Sequence, residues 1–312
     1  MSLDERTAIV TGGASGIGRA LGARLADLGA RVVLADVDGA GAEKAAREIA
    51  DRFDGRRRED AIVGRALDVT DADAFASLVR EVVERDGRID LLVNNAGISM
   101  GGPTHELTAA HWDRIIDVNL RGVVHGVLAA YPTMIEQGHG RIVNVASGAG
   151  LAAPPFVAAY ATTKSAVVGL TLALRPEAAL HGVDVCVLCP GSIDTPILDR
   201  PPEAGLPAGA SAPVTGREYL HVLRQRPAPV EPFAEQAVRG ILGSQAVVCV
   251  PSSVKLLWYL QRLSPALVQR LLRPVARQVD RSLVRPAAAT STAPGSTDEQ
   301  PGGGGDRPDP IG

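Results

Sequence analysis

Along the first 250 residues, short runs of apolar and β-branched residues alternate with longer stretches whose apolar positions recur every three or four residues. The runs Thr7–Val10, Arg31–Ala35, Ala61–Leu67, Ile89–Val93, Arg141–Ala146, Val183–Leu188 and Ala246–Val250 predict seven strands. Helices are predicted near 17–28, 40–52, 71–86, 109–136, 157–180 and 232–242. Strands this apolar on both faces belong in a parallel sheet covered by helices. The alternating order predicts a doubly wound α/β domain with right-handed crossovers and no internal repeat.

Three segments break that rhythm. Residues 199–232 carry seven prolines (201, 202, 207, 213, 227, 229 and 232) and are too long for a simple connection, so they are read as a substrate lid or a disordered insert within a domain spanning 1–251. Residues 252–285 form an amphipathic helical extension, with two helices broken near Ser264-Pro265. Residues 286–312, rich in Ala, Thr, Ser, Pro and Gly, cannot bury a core and are expected to be a disordered tail.

The bulk properties narrow the partners. Of the 312 residues 46% are hydrophobic and 21% charged, a globular balance, and the net charge of −3 gives no electrostatic case for nucleic acid. Aromatics at 3% leave few rings to stack on bases, and Arg56-Arg57-Arg58 is followed at once by Glu59-Asp60, which reads as a solvated loop. No apolar run approaches the ~18 residues that span a bilayer, and the start of the chain lacks a signal-peptide pattern, so a cytoplasmic location is expected. Cys186 and Cys189 have CxxC spacing but lie in an apolar strand, Cys249 is apart, and the six histidines are scattered; core thiols and no metal site are expected.

Chemistry enters after the first strand. Thr11-Gly12-Gly13-Ala14-Ser15-Gly16-Ile17-Gly18 leads into a helix, where glycines let the backbone approach a pyrophosphate and the helix N-terminus offers free N–H groups. Asp36 ends the second strand about twenty residues on, where an acid accepts hydrogen bonds from an adenosine ribose and repels a 2′-phosphate. Neither Ser15 nor Val37 supplies a cation for such a phosphate, so NAD is favoured over NADP. Helix capping is the alternative for Asp36, though Asp38 suits that role better. Tyr160 and Lys164 stand four residues apart, on one face of a helix. A nearby ammonium is expected to lower the phenol's pKa from ~10 toward the working range. Ser147 sits just past the fifth strand, at the sheet edge where ligands bind.

Taken together, Thr11-Gly12-x-x-x-Gly16-Ile17-Gly18, Asp36, Asp68-Val69, Asn94-Asn95-Ala96-Gly97, Asn119, Ser147, Tyr160, Lys164, Pro190-Gly191 and Thr195 resemble the short-chain dehydrogenase/reductase family, in its main single-domain branch with a Rossmann-like fold. The resemblance covers about residues 5–251. It implies that Gly12, Ser15, Gly16, Ile17 and Gly18 cradle the phosphates and that Asp68 bonds the adenine amine, with the Val69 backbone beside it. Asn94 would stabilise the sheet near the adenosine, while Asn95, Ala96 and Gly97 line the cofactor. Pro190, Gly191, Ile193 and Thr195 would hold the nicotinamide and its carboxamide. Lys164 would bond the nicotinamide ribose, and Asn119 would support a water linking Lys164 to solvent. One departure is Pro176, inside the helix that carries Tyr160, which is expected to kink or end that helix locally. This helix commonly packs at the family's subunit interface, and a homo-oligomer, dimer or tetramer, is expected.

The reaction so implied moves a hydride between nicotinamide and an alcohol or ketone, with Tyr160 as general acid/base and Ser147 orienting the oxygen. The pocket is expected to be lined by Ile98–Pro103, Gly148–Phe156 and 196–230, with few charges near its mouth, which favours an apolar secondary alcohol or ketone. A non-catalytic nucleotide sensor is the competing reading; such a protein needs the glycine turn but not a proton relay. The extension has two readings. Its apolar residues Leu267, Val268, Leu271, Leu272, Val275 and Val279 suit packing on its own domain or on a subunit. Its seven basic residues against Asp280, with Trp258 and Tyr259, suit peripheral membrane contact, by which the chain would serve as a membrane-peripheral protein or scaffold.

Overall fold

A computed structural model describes residues 3–53, 60–200, 215–243 and 245–284. The disordered-tail reading of 286–312, the Arg56-Arg57-Arg58 run and residues 201–214 of the lid segment lie outside them. Seven strands form one parallel sheet in the order β3-β2-β1-β4-β5-β6-β7. They are β1 (Thr7–Thr11), β2 (Arg31–Asp36), β3 (Ile62–Ala66), β4 (Leu91–Asn94), β5 (Gly140–Val145), β6 (Val183–Pro190) and β7 (Val247–Val250). The order reverses between β1 and β4, and ligands of open α/β sheets bind at the carboxyl ends of strands at that switch.

Two-residue periodicity along the strands sends successive side chains to opposite faces. Val10 and Leu34 join Leu21 and Leu25 of α1 (Gly16–Asp27), Ile49 of α2 (Gly39–Ala50) and Phe233 of α8 (Val230–Ile241) on one face. Ile9 and Val33 join Phe75 of α3 (Ala72–Asp86), Met134 of α5 (Gly122–Gln137) and Leu174 of α6 (Ala158–Ala179) on the other. Asn94 and Asn144 are buried polar residues within this sheet: Asn94 Nδ2 donates to Asn144 Oδ1 of β5 at 2.9 Å, and Asn144 donates in turn to Thr171 Oγ1 of α6 at 3.0 Å.

Two helical expectations need correction. The single helix over 109–136 is α4 (Ala109–Ile116) and α5 joined by a π-helical turn, Asp117–Arg121. Pro176 does not end α6, which runs through it to Ala179. Proline forfeits one main-chain hydrogen bond there, but Leu174 and Ala178 on either side are held in the core.

The extension forms α9 (Ser253–Leu263) and α10 (Pro265–Val279), with the break at Ser264 as the Ser-Pro pair predicts. Val254 and Trp258 of α9 pack on the sheet's β6–β7 end, beside Cys189 and Val247. α10 is tied to α7 (Gly216–Val222) by Gln278 Nε2, which donates to Val222 O at 2.6 Å. Among the described residues no helix is long and apolar enough to cross a membrane.

Candidate active site

Because β1 stops at Thr11 and α1 starts at Gly16, four residues must reverse the chain tightly. Gly16 adopts a φ of +53°, which side chains rarely tolerate. At Gly18 a Cβ would lie 2.1 Å from Gly12 O and 2.5 Å from Asn95 Nδ2. Gly18→Ala is therefore expected to lower stability by about 1–3 kcal/mol, read as a lower denaturant midpoint at unchanged slope. Ser15 precedes the helix in extended conformation without a side-chain cap bond, and the first turn of α1 holds no acid. Its N–H groups and dipole are thus available to an anion.

Thr11 clasps the loop after β4: its Oγ1 accepts from Asn95 N at 2.9 Å and Ala96 N at 3.0 Å. Asn95 Nδ2 returns a bond to Thr11 O at 2.8 Å. The Thr11 side chain is a positioning group that the motif reading did not single out. Asp36 sits at the end of β2, its carboxylate accepting from Ala14 N at 3.0 Å and from Asp38 N at 3.0 Å. Asp38, as anticipated, caps α2 through Gly41 N. Asp68 accepts from the Thr70 main chain at 2.9 Å, which holds its carboxyl below the usual range, with Arg114 contributing.

Ser147 lies immediately beyond β5, and its Oγ accepts from Ala149 N at 3.1 Å. Tyr160 and Lys164 project from the first turns of α6, with Lys164 Nζ 5.8 Å from the Tyr160 ring centroid. Lys164 is buried and donates to Val145 O at 2.9 Å. Burial pushes its ammonium down to about 8. Burial also raises the Tyr160 phenol, against an opposing hydrogen bond with Ser147. The expected lowering of the phenol by Lys164 is therefore corrected for the chain alone: desolvation is the largest cause of the rise, and burial disfavours the charge of Lys164 as well.

Asn119 occupies the π-helical turn. Its Oδ1 accepts from Ile98 N at 2.8 Å and its Nδ2 donates to Ile98 O at 3.0 Å, so the side chain staples the loop after β4. A Cβ at Gly97 would lie 3.2 Å from Asn119 Oδ1 and 3.4 Å from Lys164 Nζ, which puts both groups against this loop. π-turns inside helices recur at functional sites.

Cys186 and Cys189 are buried on β6 in different clusters. Three residues apart on a strand, they point to opposite faces and cannot share one metal ion. Cys189 instead faces its register partner Cys249 on β7, and their hydrogen bond, together with burial, raises the Cys189 thiol. Among the described residues no cluster of potential metal ligands is found.

One cavity of about 780 Å³ is lined by Gly12, Ser15, Gly16, Ile17, Asp36, Asp68, Val69, Asn95, Ala96, Gly97, Ser147, Tyr160, Lys164, Pro190, Gly191, Ile193 and Thr195. Gly18 and Asn119 stand behind that lining. Of the expected substrate walls, Ile98, Ser99, Gly148, Pro154 and Leu198 reach the cavity. Met100–Pro103 and Phe156 do not: Gly102 N donates to Phe156 O at 2.7 Å, zipping these loops together, and Met100 is buried against Ile115 and Ala159. From the 196–230 segment Arg200 and Arg226 line the cavity beside the apolar Ile197, Leu198, Leu220 and Leu223. The sequence reading missed a further wall from the C-terminal extension, formed by Val254, Leu257, Leu272 and Val275. Amphipathicity marked those helices, but not which surface they cover.

A family model described as short chain dehydrogenase matches residues 6–204. The D-beta-hydroxybutyrate dehydrogenase of Rhizobium meliloti (strain 1021) is 38% identical over 195 residues, covering 62% of this chain and 74% of that protein. Among solved structures, a short chain dehydrogenase/reductase from Burkholderia phymatum in complex with NAD superposes with a TM-score of 0.76 at 29% identity, covering 86% of this chain and 96% of that one. A 3-ketoacyl-(acyl-carrier-protein) reductase from Brucella melitensis complexed with NADH gives 0.67 at 29% identity, covering 80% and 98%.

Proposed function

This chain belongs to the short-chain dehydrogenase/reductase family, and from that premise we propose that it is an NAD-preferring oxidoreductase acting on an apolar secondary alcohol or ketone. The observation that carries the reading is one cavity whose lining includes the glycine turn and Asp36 as well as Ser147, Tyr160 and Lys164. The open N-terminus of α1, reached from the cavity across Gly12 and Gly16, fits a dinucleotide, and bound nicotinamide would supply the hydride chemistry. Ser15, Gly16 and Ile17 would take the pyrophosphate, Asp36 the adenosine ribose and Asp68 the adenine. Pro190, Gly191, Ile193 and Thr195 would flank the nicotinamide, and Lys164 would bond its ribose.

In this reading Ser147 holds the substrate oxygen and stabilises charge developing on it. Tyr160 Oη gives the oxygen its proton in the reductive direction and takes it in the oxidative one. Lys164 and Asn119 position the site and relay the proton toward solvent. A non-catalytic sensor is the weaker alternative, because it has no use for a Ser, Tyr and Lys assembled on one cavity. The family's habit of self-association supports a homo-oligomer, checked by light scattering, and reduced core thiols agree with a cytoplasmic setting.

Turnover followed by reduced-nicotinamide absorbance, with NAD and NADP in parallel against a panel of apolar alcohols and ketones, tests the proposal. Asp36→Ala is expected to lower the NAD-to-NADP ratio of kcat/KM at least about tenfold, since it removes both a ribose acceptor and a charge that repels a 2′-phosphate. A wild-type enzyme that turns over only with NADP would overturn the role given to Asp36.

A further inference from the structure

Six of the nine large apolar side chains left exposed among the described residues lie on α9 and α10. Leu256 and Leu263 of α9 are 72% and 85% exposed, and Leu267 and Leu271 of α10 are also open. The apolar stripe of α10 is therefore divided. Val268 and Val279 are buried and Leu272 and Val275 face the cavity, whereas Leu267 and Leu271 have no cover. Scattered exposed leucines need no explanation, but their concentration on two consecutive helices marks an interaction surface.

The charge on these helices selects the partner. Lys255, Arg262, Arg270, Arg273, Arg277 and Arg281 face a single acid, Asp280. That is a local balance of +5 in a chain whose net charge is −3. Apposing this face with the same face of a second copy would bring the two cationic sets together. Cations beside exposed leucines and an aromatic pair instead suit the boundary of an anionic bilayer, where the apolar side chains enter the acyl region and the cations meet headgroups. Trp258 and Tyr259 stack at 5.4 Å, and Arg262 lies 5.2 Å over the Trp258 ring.

The same helices wall the catalytic cavity. Leu257 is 44% exposed and lines the cavity, so the patch and the cavity wall meet at this residue. We propose that α9 and α10 dock the protein on anionic lipid, with Leu256, Leu263 and Leu271 in the acyl boundary, and that the cavity takes its lipophilic substrate from the membrane beside Leu257. The docking stands on the helices alone; the substrate delivery rests on the oxidoreductase reading.

Sedimentation of the full chain with phosphatidylcholine vesicles, with and without about one-third phosphatidylglycerol, tests the docking. Binding to the anionic vesicles that weakens in high salt is expected. The double variant Leu256→Glu, Leu263→Glu changes two exposed positions outside the site, so its melting temperature should match the wild type's while its bound fraction falls about tenfold or more. No binding to anionic vesicles, or equal binding by the variant, would overturn the proposal. So would a lipid-independent dimer that the variant loses, which would assign the face to a second copy. Delivery is read separately. Vesicles should stimulate turnover of a membrane-dissolved alcohol by the wild type only, while turnover of a water-soluble alcohol stays equal in both proteins. Vesicle binding without turnover of either alcohol would sink the oxidoreductase reading and the delivery, and leave the docking intact.

Discussion

Replacing Tyr160 by Phe is expected to lower kcat/KM by about 10²–10⁴-fold, because the substitution deletes the group assigned to proton transfer and keeps the ring that packs beside Met100, Ile115 and Ala159. The loss should fall on kcat, with dinucleotide affinity by calorimetric titration within about threefold of the wild type, since the phenol acts on the substrate oxygen. Ser147→Ala should cost about 10²–10³-fold, the range for one lost oxyanion donor. The sign of the pH dependence follows from burial. A phenol raised above its usual value is protonated at neutral pH and ready to donate, so reduction should proceed at neutrality and fall at alkaline pH. Oxidation needs the phenolate and should rise with pH over the same interval. A Tyr160→Phe enzyme that keeps its activity in both directions would remove the general acid/base role. A wild type that binds dinucleotide yet turns over nothing would favour the sensor.

What the sequence could and could not convey has physical reasons. The seven strands were legible because a sheet covered on both faces demands apolar runs, and each run is bounded by turn or helix residues. The residues that line the cavity were legible as a set because they stand at strand ends and on one helical face, positions that spacing reports directly. The π-turn at Asn119 was not, since one extra residue in a helical turn barely alters the apolar pattern of 109–136. Pro176 does not end α6, because the hydrogen bond lost there is offset by packing at Leu174 and Ala178. The sign of the Tyr160 shift was misjudged for a related reason. Spacing places a cation beside a phenol, but only the fold says that both are desolvated. The cavity wall from α9 and α10 lay beyond any motif, because it depends on how the extension folds back over β7 and α7.

Lys164→Met is expected to make the protein more stable at neutral pH while stripping it of activity. The ammonium is buried to 3% exposure, and its pKa falls from the ordinary 10.5 to about 8. Below about pH 8 the lysine is charged in both folded and unfolded chains, and the folded state bears the whole penalty of burying that charge. Between about pH 8 and 10.5 the unfolded chain holds the proton that the folded one has released, so wild-type stability rises with pH across that window. The displacement corresponds to at most about 3 kcal/mol. Methionine preserves the aliphatic stem and removes the charge, at the loss of the bond to Val145 O, worth about 1 kcal/mol. Denaturant titrations of the two proteins without cofactor should therefore show the variant ahead by about 1–2 kcal/mol at pH 7, with the advantage disappearing by about pH 10. Turnover should meanwhile fall by about 10²-fold or more, since a charge held at an energetic loss in the folded state is there for the site and not for the fold. A variant less stable than the wild type at pH 7 would mean that the ammonium's contacts outweigh its desolvation, and that Lys164 is a structural cation first.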